Sequence, residues 1–284
     1  EELVKRIEKI IANGEIEIDS ENKIIWEKYP IARLKKGNDY LNPEFDIIAD
    51  DSLNLESKAK LIKYLNKWLI NHINEVLGDL IKLTKHKIEN QYLRGLTFQL
   101  YENNGVVKRS EVDQIVKSIP LEERKKLWGM GIKIGRYHIY LPKMLKPKAV
   151  SFRIGLWKIF NNLSDKNKIP QSGLNFLVSK NFEKKFLLLC GFEQFHEFFV
   201  RIDILEKLFI KIIDCTKDRK FKINADMMNL LGCSKENFYK LMTYMNYKKD
   251  KVVDTYVFKG ERKKKGKLIK FDKKENPFNK LLSL

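Results

Sequence analysis

The pattern that most limits this chain runs from about residue 55 to 82. Leu61, Ile62, Leu65, Trp68, Leu69, Ile73, Val76, Leu77 and Leu80 recur there at intervals of three and four. On an α-helix that spacing draws one broad apolar stripe. A helix of that length cannot hide its own stripe, so further elements must pack along it. The next segments supply them. Residues 85–102 read as a second helix ending at Asn103-Asn104-Gly105, and Ser110-Glu-Val-Asp113 resembles a capping box that opens a third, halted before Pro120. Residues 121–128 form a short fourth helix. Residues 146–161 form another, with Pro147 in its first turn, and 201–213 a strongly apolar one.

Strand signals are fewer. After a short helix over 1–12, Glu-Ile-Glu-Ile (15–18) alternates, and 23–34 continues an extended pattern around Pro30. This predicts a β-hairpin, with a short strand near 45–48 joining it. Residues 132–141 read as a strand or an extended loop, and short helices or strands fill 180–200. Near the end, 224–231 and 235–244 read as helices around the turn Gly232-Cys233-Ser234, which is helix-turn-helix spacing. A strand over 252–258, a basic turn over 260–267 and a return strand over 268–271 would complete a winged helix. A helical hairpin with a basic tail satisfies the same pattern. The expected fold class is mainly α. It comprises a connecting region with a hairpin (1–50), a helical accessory domain (51–215) and a helix-turn-helix-like unit with a basic hairpin or tail (216–284). No internal repeat is visible.

Charge narrows the partners. The 284 residues carry 56 Lys and Arg against 37 Asp and Glu, a net +19, with a pI near 9.6. That balance suits an anionic partner. No apolar run reaches the ~18 residues of a membrane span, and no signal peptide opens the chain. The first residues are Glu-Glu rather than Met, as in a piece of a longer protein. Cys190, Cys215 and Cys233 are isolated and form neither a disulfide framework nor a zinc motif. A reducing, cytoplasmic setting is expected, with no metal. Gly260–Lys267 and Gly129–Gly135 each miss a phosphate-loop or dinucleotide spacing by one residue, so no nucleotide-binding loop is legible.

The densest local signal is 124–158, which holds ten basic residues and no acidic one. Its candidate contacts are Arg124, Lys125, Lys126, Lys133, Arg136, Tyr137, His138, Lys143, Lys146, Lys148 and Arg153. Trp128, Tyr137, Tyr140, Phe152 and Trp157 are interleaved with them. Cations that neutralise phosphate beside rings that stack on bases are what a single-strand binder needs. A helix–loop–helix with core aromatics and solvated lysines fits the same residues. A second patch, 247–274, has twelve basic residues against four acidic ones, and Arg262, Lys263, Lys264 and Lys265 could grip phosphate or merely solubilise.

The run Gly-Ile-Lys-Ile-Gly-Arg-Tyr-His-Ile-Tyr-Leu-Pro-Lys-Met-Leu-Lys-Pro-Lys-Ala (131–149), with Arg153 and Leu156-Trp157, resembles the C-terminal region of alphaproteobacterial DEAD/DEAH-box helicase-related proteins. These superfamily 2 enzymes are similar to the helicase of the mitochondrial RNA degradosome. Ile25-Trp26, Pro30–Leu34, Leu-Thr-Phe-Gln-Leu (96–100), Val-Arg-Ile-Asp-Ile-Leu-Glu (200–206), Leu-Leu-Gly-Cys-Ser (230–234) and Asn276-Pro-Phe278 resemble the same family in the same order. The resemblance implies an ATP-dependent parent acting on RNA. The two RecA-like lobes that would hold ATP and Mg are absent from this chain, so no cofactor is expected in it. It would be a nucleic-acid-binding accessory region, its partners single-stranded RNA and the lobes in cis. The alternatives are a structural or docking module, or a winged-helix binder of duplex DNA.

Overall fold

The computed structural model describes residues 2–48, 54–85, 88–163, 168–179 and 184–258. Helix α1 (Glu2–Asn13) leads into an antiparallel meander, β1 (Ile16–Ile18), β2 (Lys23–Trp26), β3 (Tyr29–Asp39) and β4 (Asn42–Ile47). The expected hairpin is thus a four-stranded sheet. Strand β3 tolerates Pro30 because the register shifts at Ile24/Ile25, where Pro30 pairs with Ile25. Helix α2 (Leu55–Lys85) is the long amphipathic helix, bent where Leu77 leaves helical geometry (φ −114, ψ 15). Its Leu61, Leu65, Leu69, Ile73, Leu77 and Leu80 lie buried in a core shared with the meander and the helices that follow.

The described residues that follow repeat one topology. Module 1 is α3 (Gln91–Glu102), β5 (Val106–Lys108), α4 (Arg109–Ser118), α5 (Leu121–Gly129), β6 (Lys133–Ile134) and β7 (His138–Tyr140). Module 2 is α6 (Pro147–Phe160), β8 (Phe176–Val178), α7 (Lys184–Leu189), β9 (Phe192–Phe195) and β10 (Phe198–Arg201). Module 3 is α8 (Ile202–Asp214), β11 (Lys220–Lys222), α9 (Ala225–Leu231), α10 (Lys235–Tyr244), β12 (Tyr247–Lys249) and β13 (Thr255–Phe258). Each has a three-stranded antiparallel sheet in which the last strand lies between the other two: β5-β7-β6, β8-β10-β9 and β11-β13-β12. A helix, a strand, a helix pair and a hairpin so paired make the winged-helix arrangement in modules 1 and 3. Module 2 shows one helix in place of the pair among the described residues.

The repeat extends to hydrogen bonds. Between the last helix and the second strand, each module places one residue in the left-handed region: Gly131 (φ 80), Gly191 (φ 90) and Asn246 (φ 67). Each donates its N–H three residues back, to Trp128, Leu188 and Thr243. The residue before it, Met130, Cys190 or Met245, donates four back, to Lys126, Phe186 or Leu241. The residue after it is a buried Ile132, Phe192 or Tyr247, and four before it lies a fully buried Leu127, Leu187 or Met242. Left-handed geometry ends the helix and turns the chain directly into the sheet.

Helix makes up about 52% and strand 23%, in ten helices and four small antiparallel sheets among the described residues. This is a mixed α/β fold, and the expectation of a mainly α chain is overturned. Most of the strands have two to four residues, too few to show an alternation. The boundary expected at 215/216 falls inside one packed cluster. That cluster joins Phe198 and Val200 of β10, Ile204, Leu205 and Leu208 of α8, and Met227, Phe238 and Tyr256 of module 3.

Candidate nucleic-acid interface

In module 3, Asn224 caps α9 by accepting the Met227 N–H (3.0 Å), and Ser234 caps α10 by accepting that of Asn237 (3.3 Å). Phe238, Leu241 and Met242 bury one face of α10, which leaves Lys235, Glu236, Lys240 and Thr243 in solvent. The strand expected over 252–258 is β13, which pairs with β12 before it across a turn that exposes Lys251, Val252 and Val253, and the expected turn (260–267) and return strand (268–271) lie outside the described residues. The Tyr239 hydroxyl donates to Asp254, which ties helix to hairpin. The same ring lies under Lys235 and Lys249, at 5.4 and 5.7 Å from its centroid. The Tyr239 bond and the neighbouring lysines hold the Asp254 carboxyl below its ordinary range. Asp250 is engaged by Lys220 at 2.7 Å. The wing's two carboxylates are therefore both paired, while Lys240, Lys248 and Lys251 project into solvent.

The residues singled out in 124–158 do not form one surface. Lys125 and Lys133 are exposed on α5 and β6, and Lys146 is exposed just before α6. Lys126 pairs with Glu123 (2.7 Å), Lys143 with Asp79 (3.1 Å) and Lys148 with Glu75 (3.5 Å). Arg124 closes the end of α4 by donating to the Val116 and Ile119 carbonyls, both at 3.1 Å. Two candidates face inward, which corrects their reading as contacts. Arg153 is fully buried and donates to the carbonyls of Asn104 (2.9 Å), Met144 (3.2 Å) and Leu189 (2.8 Å). Burial pushes its pKa down to about 10. His138 is buried with Nε2 at 2.7 Å from Glu193 Oε2, and Lys108 holds the other oxygen at 2.5 Å. Arg262, Lys263, Lys264 and Lys265 lie outside the described residues.

Arg136 and Tyr137 sit in a joint that sequence reading missed. Glu206 of α8 accepts the backbone N–H groups of Arg136 (2.6 Å), Tyr137 (2.8 Å) and His138 (3.1 Å). Arg109 Nη1 donates to the Gly135 carbonyl (2.8 Å), and its N–H to that of Tyr137 (2.9 Å). The Tyr137 ring meets Phe195 of module 2 and Phe209 of module 3 edge-on, and the Arg136 guanidinium lies over Phe209. The hairpin turn of module 1 is therefore a clamp between modules. The turn of module 2 is also engaged: His196 packs on Tyr244, whose hydroxyl donates to Glu197 (3.2 Å). One sequence signal points here, a glutamate beside Leu205 within the largely apolar helix 202–213. Buried charge of that kind needs partners.

Among the described residues, no group of three or more His, Cys, Asp and Glu is placed to hold a metal ion. No helix there is long and apolar enough to cross a membrane. No family model, curated protein or solved structure matches this chain.

Proposed function

We propose that this chain binds nucleic acid by gripping duplex phosphate with α10 and the β12–β13 wing. The observation that carries the reading is module 3 itself. It is a capped helix pair with a polar, lysine-bearing second helix, locked through Tyr239 and Asp254 to a hairpin whose turn is exposed. Such a second helix enters a groove while a neighbouring loop reaches the backbone. Lysines at these places fix position on phosphate and carry no base sequence. In sequence, β13 is followed by the basic run Arg262–Lys265. The test is duplex binding over a salt series. The triple variant Lys240→Glu, Lys248→Glu, Lys251→Glu is expected to weaken binding and to flatten the log K against log salt slope by about 3. The exposed pair Lys63→Glu, Lys67→Glu on α2 is expected to leave it unchanged. Equal losses in both variants would reduce the effect to net charge and end this reading.

A narrower reading is an accessory region of an RNA helicase. It is favoured by the helicase-like segment 131–157, whose Gly131, Gly135–Tyr140 and Arg153 fold module 1 and clamp it to its neighbours. ATP and Mg would then be held by RecA-like lobes outside this chain. Tighter binding to single-stranded RNA than to either duplex would favour it.

A further inference from the structure

Helices α5 and α10 occupy the same place in their modules, yet they expose different chemistry. Helix α10 shows lysine, glutamate and threonine. Helix α5 shows Leu121 (76% exposed), Lys125 and Trp128 (71% exposed) at i, i+4 and i+7, hence on one face. Leu127 is fully buried on the opposite side and fixes the helix's rotation, so the indole has no inward alternative. Among the described residues, Trp128 makes no ring contact, and Lys125 and Lys133 have no carboxylate partner. Glu123 is held by Lys126 at 2.7 Å, and Glu122, three residues before Lys125, is exposed on the adjoining face. Module 1 also lacks a free wing, because its turn is bound to Glu206. It cannot grip a duplex as module 3 can.

We propose that the exposed face of α5 is a second nucleic-acid site, a stacking platform for an unpaired base, so that the protein recognises a junction between duplex and single strand. Trp128 offers a free π-face for a base of any identity, and Lys125 and Lys133 neutralise the flanking phosphates. Lys125, unpaired and three residues before the indole on the same helix, favours a nucleotide over an apolar protein surface as the occupant. The Glu206 and His138–Glu193 contacts hold module 1 against its neighbours, so both sites belong to one body. The duplex half of this junction rests on the function proposed above.

The test uses the full chain with a blunt duplex, the same duplex carrying a short oligothymidine overhang, the overhang made abasic, and free oligothymidine. The overhang is expected to tighten binding about tenfold. Trp128→Ala and the abasic overhang should each remove that gain, while Trp128→Phe keeps part of it. Free oligothymidine should quench the fluorescence of the wild type and leave Trp128→Phe unquenched. A gain that survives Trp128→Ala, or is unchanged by removing the bases, overturns the platform and leaves the face to a protein partner. Quenching without blunt-duplex binding would instead overturn the duplex reading and keep the platform.

Discussion

Arg153 shows how a residue can be chemically legible and still misplaced. Its neighbours in sequence are apolar on all sides, Ala149, Val150, Phe152, Ile154 and Leu156, and each of these is buried. A count of charges sees a cation, whereas the helix it sits on sees a core position. The guanidinium survives there because its fork satisfies three carbonyls from separate segments. Arg153→Lys keeps the charge but loses the fork, and is expected to cost about 2–3 kcal/mol by urea midpoint. Glu193 gives the matching statement for pH. Burial alone would raise its pKa, but the bonds from His138 and Lys108 outweigh that and hold the carboxyl below its ordinary 4.5. A depressed carboxylate stabilises the fold above its unfolded pKa and loses that contribution as pH falls through the folded value. Stability should therefore be level above pH 4.5 and drop below it, with a shallower drop in Glu193→Gln. An unchanged acid limb in that variant would assign the drop to other carboxylates.

At the scale of elements, capped and periodic helices are legible in the sequence and short strands are not. Residues 224–231 and 235–244 were placed within a residue of α9 and α10, because caps and periodicity coincide there. Strands β5, β11 and β12 have three residues each, so period two has no room to appear. They are strands because a neighbour supplies their hydrogen bonds, and sequence does not carry that information locally. The repeat was hidden for a related reason. What recurs is a left-handed residue between a buried Leu or Met and a buried Ile, Phe or Tyr, and those roles accept different side chains. Glycine holds two of the positions and asparagine the third, the residue types that tolerate positive φ. The three should therefore respond with opposite signs. Gly191→Ala, whose new Cβ would also press on Leu145 at 2.7 Å, is expected to destabilise by about 1–2 kcal/mol or more. Asn246→Gly should be neutral or slightly stabilising. Equal losses at both sites would mean that side-chain contacts, and not φ, define the equivalence.

For the whole molecule, the joint around Glu206 decides whether three modules behave as one. Modules 2 and 3 share no linker, since α8 begins at the residue after β10 ends, whereas residues 141–146 join modules 1 and 2. The core of module 3 takes in Phe198 and Val200 from module 2. Module 1 adds polar bonds to its apolar contacts: beside Val106 and Tyr140 packed on Ile202, three backbone N–H groups meet one carboxylate and a His–Glu–Lys chain crosses to module 2. The His138 N–H is buried and those of Arg136 and Tyr137 are half-buried, so removing the acceptor leaves at least the first unsatisfied, which costs more than the bond itself contributes. Gly135 faces that carboxylate so closely that a Cβ would run into it. The wild type is expected to unfold in one calorimetric transition. Glu206→Ala should split or broaden it, with one component moved to lower temperature, and Gly135→Ala should do the same with every charge intact. That second variant separates geometry from electrostatics, because it pushes Glu206 out of the turn without deleting it. A single sharp transition, merely shifted, in both variants would show that apolar packing across Tyr137, Phe195 and Phe209 couples the modules without the carboxylate. In that case Tyr137→Ala, which removes the ring common to both contacts, is the change that should divide the transition.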